Sequence, residues 1–459
     1  TSFVMFNRVF DPKVTREIRL FGLHDEDVFD VDPKASSRIK LRIIGGRGID
    51  TFNIRGKVEA LLYDLKDDGG GGDYFVKDSS HAKKRFSNDP PVNDKSILGF
   101  NYNYSRFPQV HLNYNSDDGL LLGAGFSRRT FGFRNLPYAT DQRLTALYAV
   151  DRRAIRLQYR GEFNHITRNL DLLIRANYCT PTLHNFFGLG NNSRYDEQQP
   201  RRYYQALFNY FEAEIMFRKR YFDKLHLMIG PYYSHYTASP SKNANTVLGK
   251  AAQVGLNQED VFRKKTYAGV KAALTLDNRN KEFFPTRGMY WKHELLLTSK
   301  ISSGEGKYVA YSNDMALYAS LREPAKLVMV MKFGGGRIFS KNFEYFQAMS
   351  IGAQNDLPGF RKNRYAGKSS MYGGLEMRMQ LFHLNSYIMP GPVGLSAFYN
   401  MGKVWLPGDR NGSKKWHGAY GLGLYYLPFN MFSISAYAGF DEGVKMFNFG
   451  LGTKFNLTY

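Results

Sequence analysis

Few residues in this chain have types and spacing that could do chemistry. Gly45-Gly46-Arg47-Gly48-Ile49-Asp50-Thr51-Phe52 fits the Gly-Gly-x-Gly-x-Asp nonapeptide, whose backbone and aspartate oxygens can hold calcium. Such a site needs adjacent tandem copies to complete its oxygen shell. Here the echo, Arg19-Leu20-Phe21-Gly22 through Asp27-Val28-Phe29, lies roughly 23 residues upstream and is degenerate. Two stacked β-turn units are therefore the preferred reading. Asp50 remains the calcium candidate, and no other metal or cofactor is expected. Histidines such as His293 and His417 stand apart from any carboxylate or serine nucleophile motif. No triad is discernible, so the chain is not expected to be an enzyme, and lipid-facing or girdle positions account for these histidines. The single Cys179 excludes an intramolecular disulfide framework and a cysteine-rich metal site. What remains is Gly352-Ala353-Gln354-Asn355-Asp356-Leu357-Pro358-Gly359-Phe360-Arg361, inside a long polar segment between Ile338 and Lys368. An irregular segment of roughly thirty residues is unusual in a compact fold unless it is functional or disordered.

The elements flanking this segment alternate with a period of two. Ala268, Val270, Ala272, Leu274 and Leu276 oppose Gly269, Lys271, Ala273, Thr275 and Asp277; Leu375, Met377, Met379 and Leu381 oppose Gly374, Glu376, Arg378 and Gln380. Leu98, Phe100, Tyr102 and Tyr104 begin the series, and Phe447, Phe449, Leu451, Phe455 and Leu457 end it opposite Asn448, Gly450, Gly452 and Lys454. Recurring charge on one face excludes a sandwich, whose inner faces must be dry. It suits a closed barrel with lipid outside and water inside. Closure also removes open strand edges. The 32 Tyr, 36 Phe and 44 Gly, with no apolar run of helix-spanning length, agree with an outer-membrane barrel. The negative mean hydropathy agrees too, because only alternate residues meet lipid. The formal charge of +22 lacks any nucleic-acid motif or clustering, so nucleic acid is not an expected partner. Anionic lipid headgroups or a basic lumen would use it.

About sixteen alternating runs follow one another, starting near Ile97, Leu120, Arg143, Ile155, Leu170, Tyr203, Lys224, Phe262, Arg287, Lys307, Ala325, Ser369, Gly391, Trp416, Met431 and Lys445. The long joins, Thr180–Arg202, Ala238–Val261 and Phe339–Lys368, all follow odd-numbered runs, which places them at one end of the barrel. An even strand number returns both barrel termini to the other, periplasmic end. The fold expected is all-β: a transmembrane antiparallel barrel over 96–459, a linker over 64–95 and a small β-rich periplasmic segment over 1–63. The first residue being Thr1 points to a processed or truncated product.

Three stretches resemble the BamA-like bacterial surface antigen barrels of the outer-membrane assembly and translocation superfamily. They are Asp277-Asn278-Arg279-Asn280 with Phe284-Pro285-Thr286-Arg287-Gly288, the Leu357-Pro358-Gly359-Phe360 loop, and Ala397-Phe398-Tyr399-Asn400-Met401-Gly402-Lys403-Val404-Trp405. The front half is similar to a Bacteroidota-type branch in which such a barrel follows a metallophosphoesterase domain, through Arg42–Ile54, Tyr63-Asp64 and Asn185-Phe186-Phe187-Gly188-Leu189-Gly190-Asn191. The chain has no phosphoesterase ligand set. The resemblance implies that the loop 339–368 folds into the lumen. It also implies an arginine at the position of Pro358, paired with an aspartate at that of Asn400. Both charges are missing here. Losing both avoids the cost of one lone buried charge. The expected anchor is instead Arg361 or Arg364 against inward groups such as Glu376, with Arg378 and Asn400 alongside. A solvated loop outside the barrel is the competing reading.

In that family the seam between first and last strands opens toward lipid, which here puts Leu98, Phe100, Tyr102, Gly450, Gly452, Phe455 and Leu457 at the seam. Glycines there weaken pairing, or else give room for inward bulk. The function expected is insertion or export of outer-membrane protein or lipoprotein in a Gram-negative outer membrane. The alternative is a closed barrel anchoring a soluble domain or partner complex. Expected partners are outer-membrane lipids, lipopolysaccharide, and periplasmic or surface proteins.

Overall fold

Alternation becomes backbone pairing in the computed structural model, which describes residues 4–66, 74–77, 81–87, 102–133, 135, 137–167, 170–222, 224–302, 306–353, 357–407, 414–430, 432–441 and 444–453. The chain divides into two units, Thr1–Asn101 and Tyr102–Tyr459.

In the first unit, β1 (Glu17–His24), β3 (Ser36–Arg47), β5 (Lys57–Tyr63) and β7 (Ala82–Lys84) pair in parallel as one sheet. β2 (Val28–Val31), β4 (Asp50–Ile54) and β6 (Tyr74–Lys77) form a second parallel sheet. Successive strands thus alternate between sheets, so the chain advances as a coil. The repeat read from the sequence is one turn of that coil, stacking Phe29 on Phe52 at 5.4 Å between centroids. Ile43, Phe52, Ile54, Ala60 and Leu62 form its core. The expected linker over 64–95 is a correction: β6 and β7 lie inside it, because Tyr74–Lys77 and Ala82–Lys84 continue the parallel ladders past Tyr63.

The second unit is a closed barrel of sixteen antiparallel strands. Its first half consists of β8 (Tyr104–Asn115), β9 (Gly119–Thr130), β10 (Thr140–Ala149), β11 (Ala154–Thr167), β12 (Leu170–Thr180), β13 (Phe208–Tyr221), β14 (Leu225–Ala238) and β15 (Lys265–Asp277). The second half is β16 (Gly288–Lys300), β17 (Lys307–Ala319), β18 (Leu327–Ile338), β19 (Ser369–Leu384), β20 (Gly391–Trp405), β21 (His417–Tyr426), β22 (Phe432–Asp441) and β23 (Val444–Thr453). Outward positions such as Leu122, Leu157, Ile229, Leu375, Tyr399 and Leu422 are exposed apolar side chains, as a lipid-facing belt requires. No helix among the described residues is long and apolar enough to cross a membrane.

The first strand is described from Tyr104, and its expected start near Ile97 lies outside the described residues. One boundary shifts. The sixth begins at Phe208 rather than Tyr203, because Arg201–Tyr204 closes into a 3-10 turn after Pro200. All three long joins lie at one end, here called the loop end; the other is the terminal end. They pack there on one another through Phe186, Phe208, Tyr236, Val247, Leu248 and Tyr345.

Candidate functional site: the lumen loop and the seam

The segment 339–368 is less irregular than its sequence suggests. Glu344 and Gln347 form a reciprocal capping box on the 3-10 turn Tyr345–Gln347. Met349–Ile351 then pairs with Tyr365–Gly367 as a short hairpin. The tip between these strands carries Leu357 and Phe360. Both are fully buried with Ile351, Tyr365, Tyr372, Val404 and Ala419, the last three on the inner faces of β19, β20 and β21. Each such side chain contributes roughly 1.5–3 kcal/mol on leaving water. The loop therefore occupies the lumen, held first by apolar packing.

Its tip rests on glycines. Gly359 has φ +105°, and Ala419 and Phe398 lie within 3.3 Å of where its Cβ would stand. A Cβ on Gly439 of β22 would collide with the Gly359 backbone. Beside it, Asn400 Nδ2 donates to the Pro358 carbonyl at 2.6 Å. The two positions that the resemblance gives to an arginine–aspartate pair still touch in this chain, through a neutral hydrogen bond.

The ionic anchor lies elsewhere. Arg361 pairs with Asp117 at 2.8 Å, donates to Tyr195 Oη at 3.1 Å and sits over that ring. The Lys362 N–H donates to the other Asp117 oxygen at 2.8 Å, and its ammonium approaches Asp118 at 3.4 Å. Asp118 is also 3.8 Å from the buried Arg152. Arg364 donates to the Ser193 carbonyl at 3.1 Å and stacks on Tyr365. Glu376, expected as the anchor's partner, faces the same small cavity as Pro358 and Phe398. Its carboxylate is held by Arg378, with both contacts at 2.9 Å. This is a correction: an (i, i+2) neighbour on one strand face is already in reach, whereas Arg361 and Arg364 point away toward the loop end. Asp117 and Asp118 were missed because they sit 244 residues from their partners in sequence. No spacing rule signals that distance.

Asp117 and Asp118 form the turn joining β8 to β9, beside the seam. β23 pairs with β8 only over Asn448–Leu451 against Leu112–Asn115 among the described residues. The next shortest barrel junction runs over Ala419–Tyr426. β23 itself continues along β22 to Thr453, and β8 continues along β9 from Tyr104. The seam is pinned at its loop end, where Ser116 Oγ donates to the Phe447 carbonyl at 2.8 Å and accepts from the Phe447 N–H at 2.8 Å. Gly450 lies opposite Asn113, Gly452 pairs with Ser433 of β22, and Tyr102 precedes β8. Leu98, Phe100, Phe455 and Leu457 lie outside the described residues. The loop touches both flanks of this junction, β20–β22 through Pro358 and Gly359 and the β8–β9 turn through Arg361 and Lys362. It is a strap across the inside of the seam.

The other candidates fall into place around it. His417 is not at the lipid surface: it is buried, stacks on Tyr365 at 3.8 Å and bonds the Asn191 carbonyl. His293 bonds Tyr311 Oη at 2.6 Å. In the first unit, Asp50 is buried and accepts the Asp27 N–H at 2.9 Å. Burial, with Asp64 and Asp27 alongside, pushes its carboxyl up to about 7. Among the described residues no group of three or more His, Cys, Asp or Glu is arranged to hold a metal ion.

Comparison with known proteins agrees with this architecture. No curated protein matches the chain. Among solved structures, BamA from Haemophilus ducreyi lacking POTRA domains 1–3 superposes with a TM-score of 0.52 at 14% identity, over 84% of this chain and 73% of that one. CdiB from Acinetobacter baumannii gives 0.45 at 11% identity, over 76% of this chain and 59% of that one. The model of the Omp85 superfamily domain matches residues 77–455, which span the whole described barrel. The chain therefore belongs to the Omp85 superfamily of outer-membrane β-barrels.

Proposed function

We propose that this barrel takes part in inserting or exporting outer-membrane polypeptide, lipoprotein included, by opening the β23–β8 seam toward lipid. The observation that supports it is the seam itself, which among the described residues is paired over Leu112–Asn115 while both strands run on beside other partners. On this reading β8, Tyr104–Asn115, offers its main-chain groups to a client strand by β-augmentation once the seam parts. Pro108 lies within that stretch, together with a register shift between Arg106 and Gln109, features suited to a strand edge. On this reading both barrel termini are periplasmic. The partners are client strands, lipids and lipopolysaccharide around the apolar belt, and periplasmic or surface proteins.

The test is a cysteine pair, Asn113→Cys with Gly450→Cys in a Cys179→Ala background. Oxidation should arrest growth or deplete outer-membrane proteins, and a reductant should restore both. Unchanged growth and composition with the disulfide formed would sink the proposal.

The second reading, a closed barrel anchoring a soluble domain or partner, draws support from the strap across the seam. It predicts that the locked barrel keeps its function and co-purifies with a stable partner. The Bacteroidota-type branch and its metallophosphoesterase fusion belong to this reading. Sequence encoded upstream of Thr1 tests them.

A further inference from the structure

The join between β15 and β16, residues 278–287, lies at the terminal end and is built as a rigid arm. The Asn278 N–H donates to the Met289 carbonyl at 3.0 Å, and Asn280 Oδ1 accepts the N–H groups of Thr286 and Arg287 at 3.1 and 3.2 Å. Arg279 is clamped to Asp277 at 2.6 Å. These bonds hold the base of the arm and leave Phe283 and Phe284 at its tip. Phe284 has φ +49°, a left-handed conformation that a bulky residue adopts only when its surroundings require it.

Those surroundings are on other strands. The Phe284 ring lies 4.9 Å from Tyr425 of β21, and the Arg378 guanidinium of β19 sits 4.6 Å over it. β17 and β18 stand between β16 and β19 in the wall, so the arm reaches this place by crossing the lumen. The receiving socket is itself prepared. Arg378 is fixed by its two bonds to Glu376. Tyr425 packs on Gly394 of β20, where a Cβ would overlap the phenol ring and the Met379 carbonyl. A turn with no role beyond joining two strands needs neither a strained aromatic nor a socket across the barrel.

We propose that residues 278–287 form a second lid, closing the lumen at the terminal end, with Phe284 seated on Arg378 and Tyr425. The loop 339–368 closes the loop end. Axial passage of any solute then requires both to move, whereas lateral opening of the seam requires neither movement of Phe284 nor loss of its socket. The lid is thus independent of the insertion proposal.

Single-channel conductance of the full chain in planar bilayers tests it, with heat-modifiable gel migration reporting that each variant is folded. Phe284→Ala alone and deletion of residues 357–362 alone should each leave the barrel nearly closed. Combined, they should conduct at least tenfold more than either. Tyr425→Ala, which removes part of the socket and leaves the arm intact, should replace Phe284→Ala in that combination if the latter does not fold. Full conductance from the loop deletion alone, unchanged by either second substitution, overturns the lid. A combined variant that stays closed overturns it equally.

Discussion

Two arcs of one barrel wall solve the problem of an inner face differently. From β9 to β16 the face is charged and self-paired. Asp141 is shared by Arg129 and Arg143, Asp171 by Arg218 and Arg220, and Lys271 bridges Glu214 and Glu294, which in turn hold Arg175 and Lys292. From β18 to β22 the part of the face toward the loop end is bare: Gly374, Gly402, Gly421 and Gly439 leave a trough that the loop fills with Leu357, Pro358, Gly359 and Phe360, with the Glu376–Arg378 pair on the terminal side of it. The charged arc is complete without the loop. The bare arc is unfinished until the loop arrives, and the Arg361 and Lys362 charges beside the loop's tip meet their carboxylates across the seam, at Asp117 and Asp118. A missing charge is therefore tolerated on the first arc and costly on the second.

The largest expected effect comes from Asn400→Asp. It replaces a donated hydrogen bond by a carboxylate facing the Pro358 carbonyl, in a cavity where Lys332 already serves Glu376, and a buried charge without its own counter-ion costs roughly 3–5 kcal/mol. The loop should leave its seat and become sensitive to trypsin at Lys362. Pro358→Arg added to it should recover most of the protection. If the double variant is no better than the single, these two positions are not in register across the lumen.

Arg361→Ala should come next, because Asp117 keeps the Lys362 N–H but loses its buried counter-ion, at a cost of about 3 kcal/mol. Faster hydrogen exchange at Leu112–Asn115 would follow, since the strap holds that flank of the seam. On the charged arc, Lys271→Met should cost only about 1–2 kcal/mol, because Glu214 keeps Arg175 and Glu294 keeps Lys292. A loss as large as that of Arg361→Ala would break the contrast between the arcs.

The smallest effect lies in the first unit. A carboxyl raised to about 7 when folded stays protonated where the unfolded chain has already ionised. Folding then takes up a proton, so stability falls as pH rises from about 4 toward 7 and levels off above. Exchange protection of Ile43 and Phe52 should follow that slope. Asp50→Asn, which keeps an oxygen for the Asp27 N–H, should flatten it.

The sequence alone determined the strands. A side chain's two choices, lipid or water, are imposed residue by residue along a strand, so period-two runs counted locally gave sixteen and put the long joins at one end. Chain order also exposed the 23-residue echo between Asp27 and Asp50, because a coil repeats at the length of its own turn. Tertiary structure alone decided who meets whom inside. The Arg361–Asp117 strap joins a loop after β18 to the first hairpin, and they become neighbours only when the sheet closes on itself. Phe284 finds Tyr425 for the same reason, across a lumen that does not exist until closure. The parallel stacking that carried the first unit past Tyr63 was hidden because that segment's glycines and charges read as a linker. In each case the deciding contact is a property of closure or stacking, and no local pattern records it.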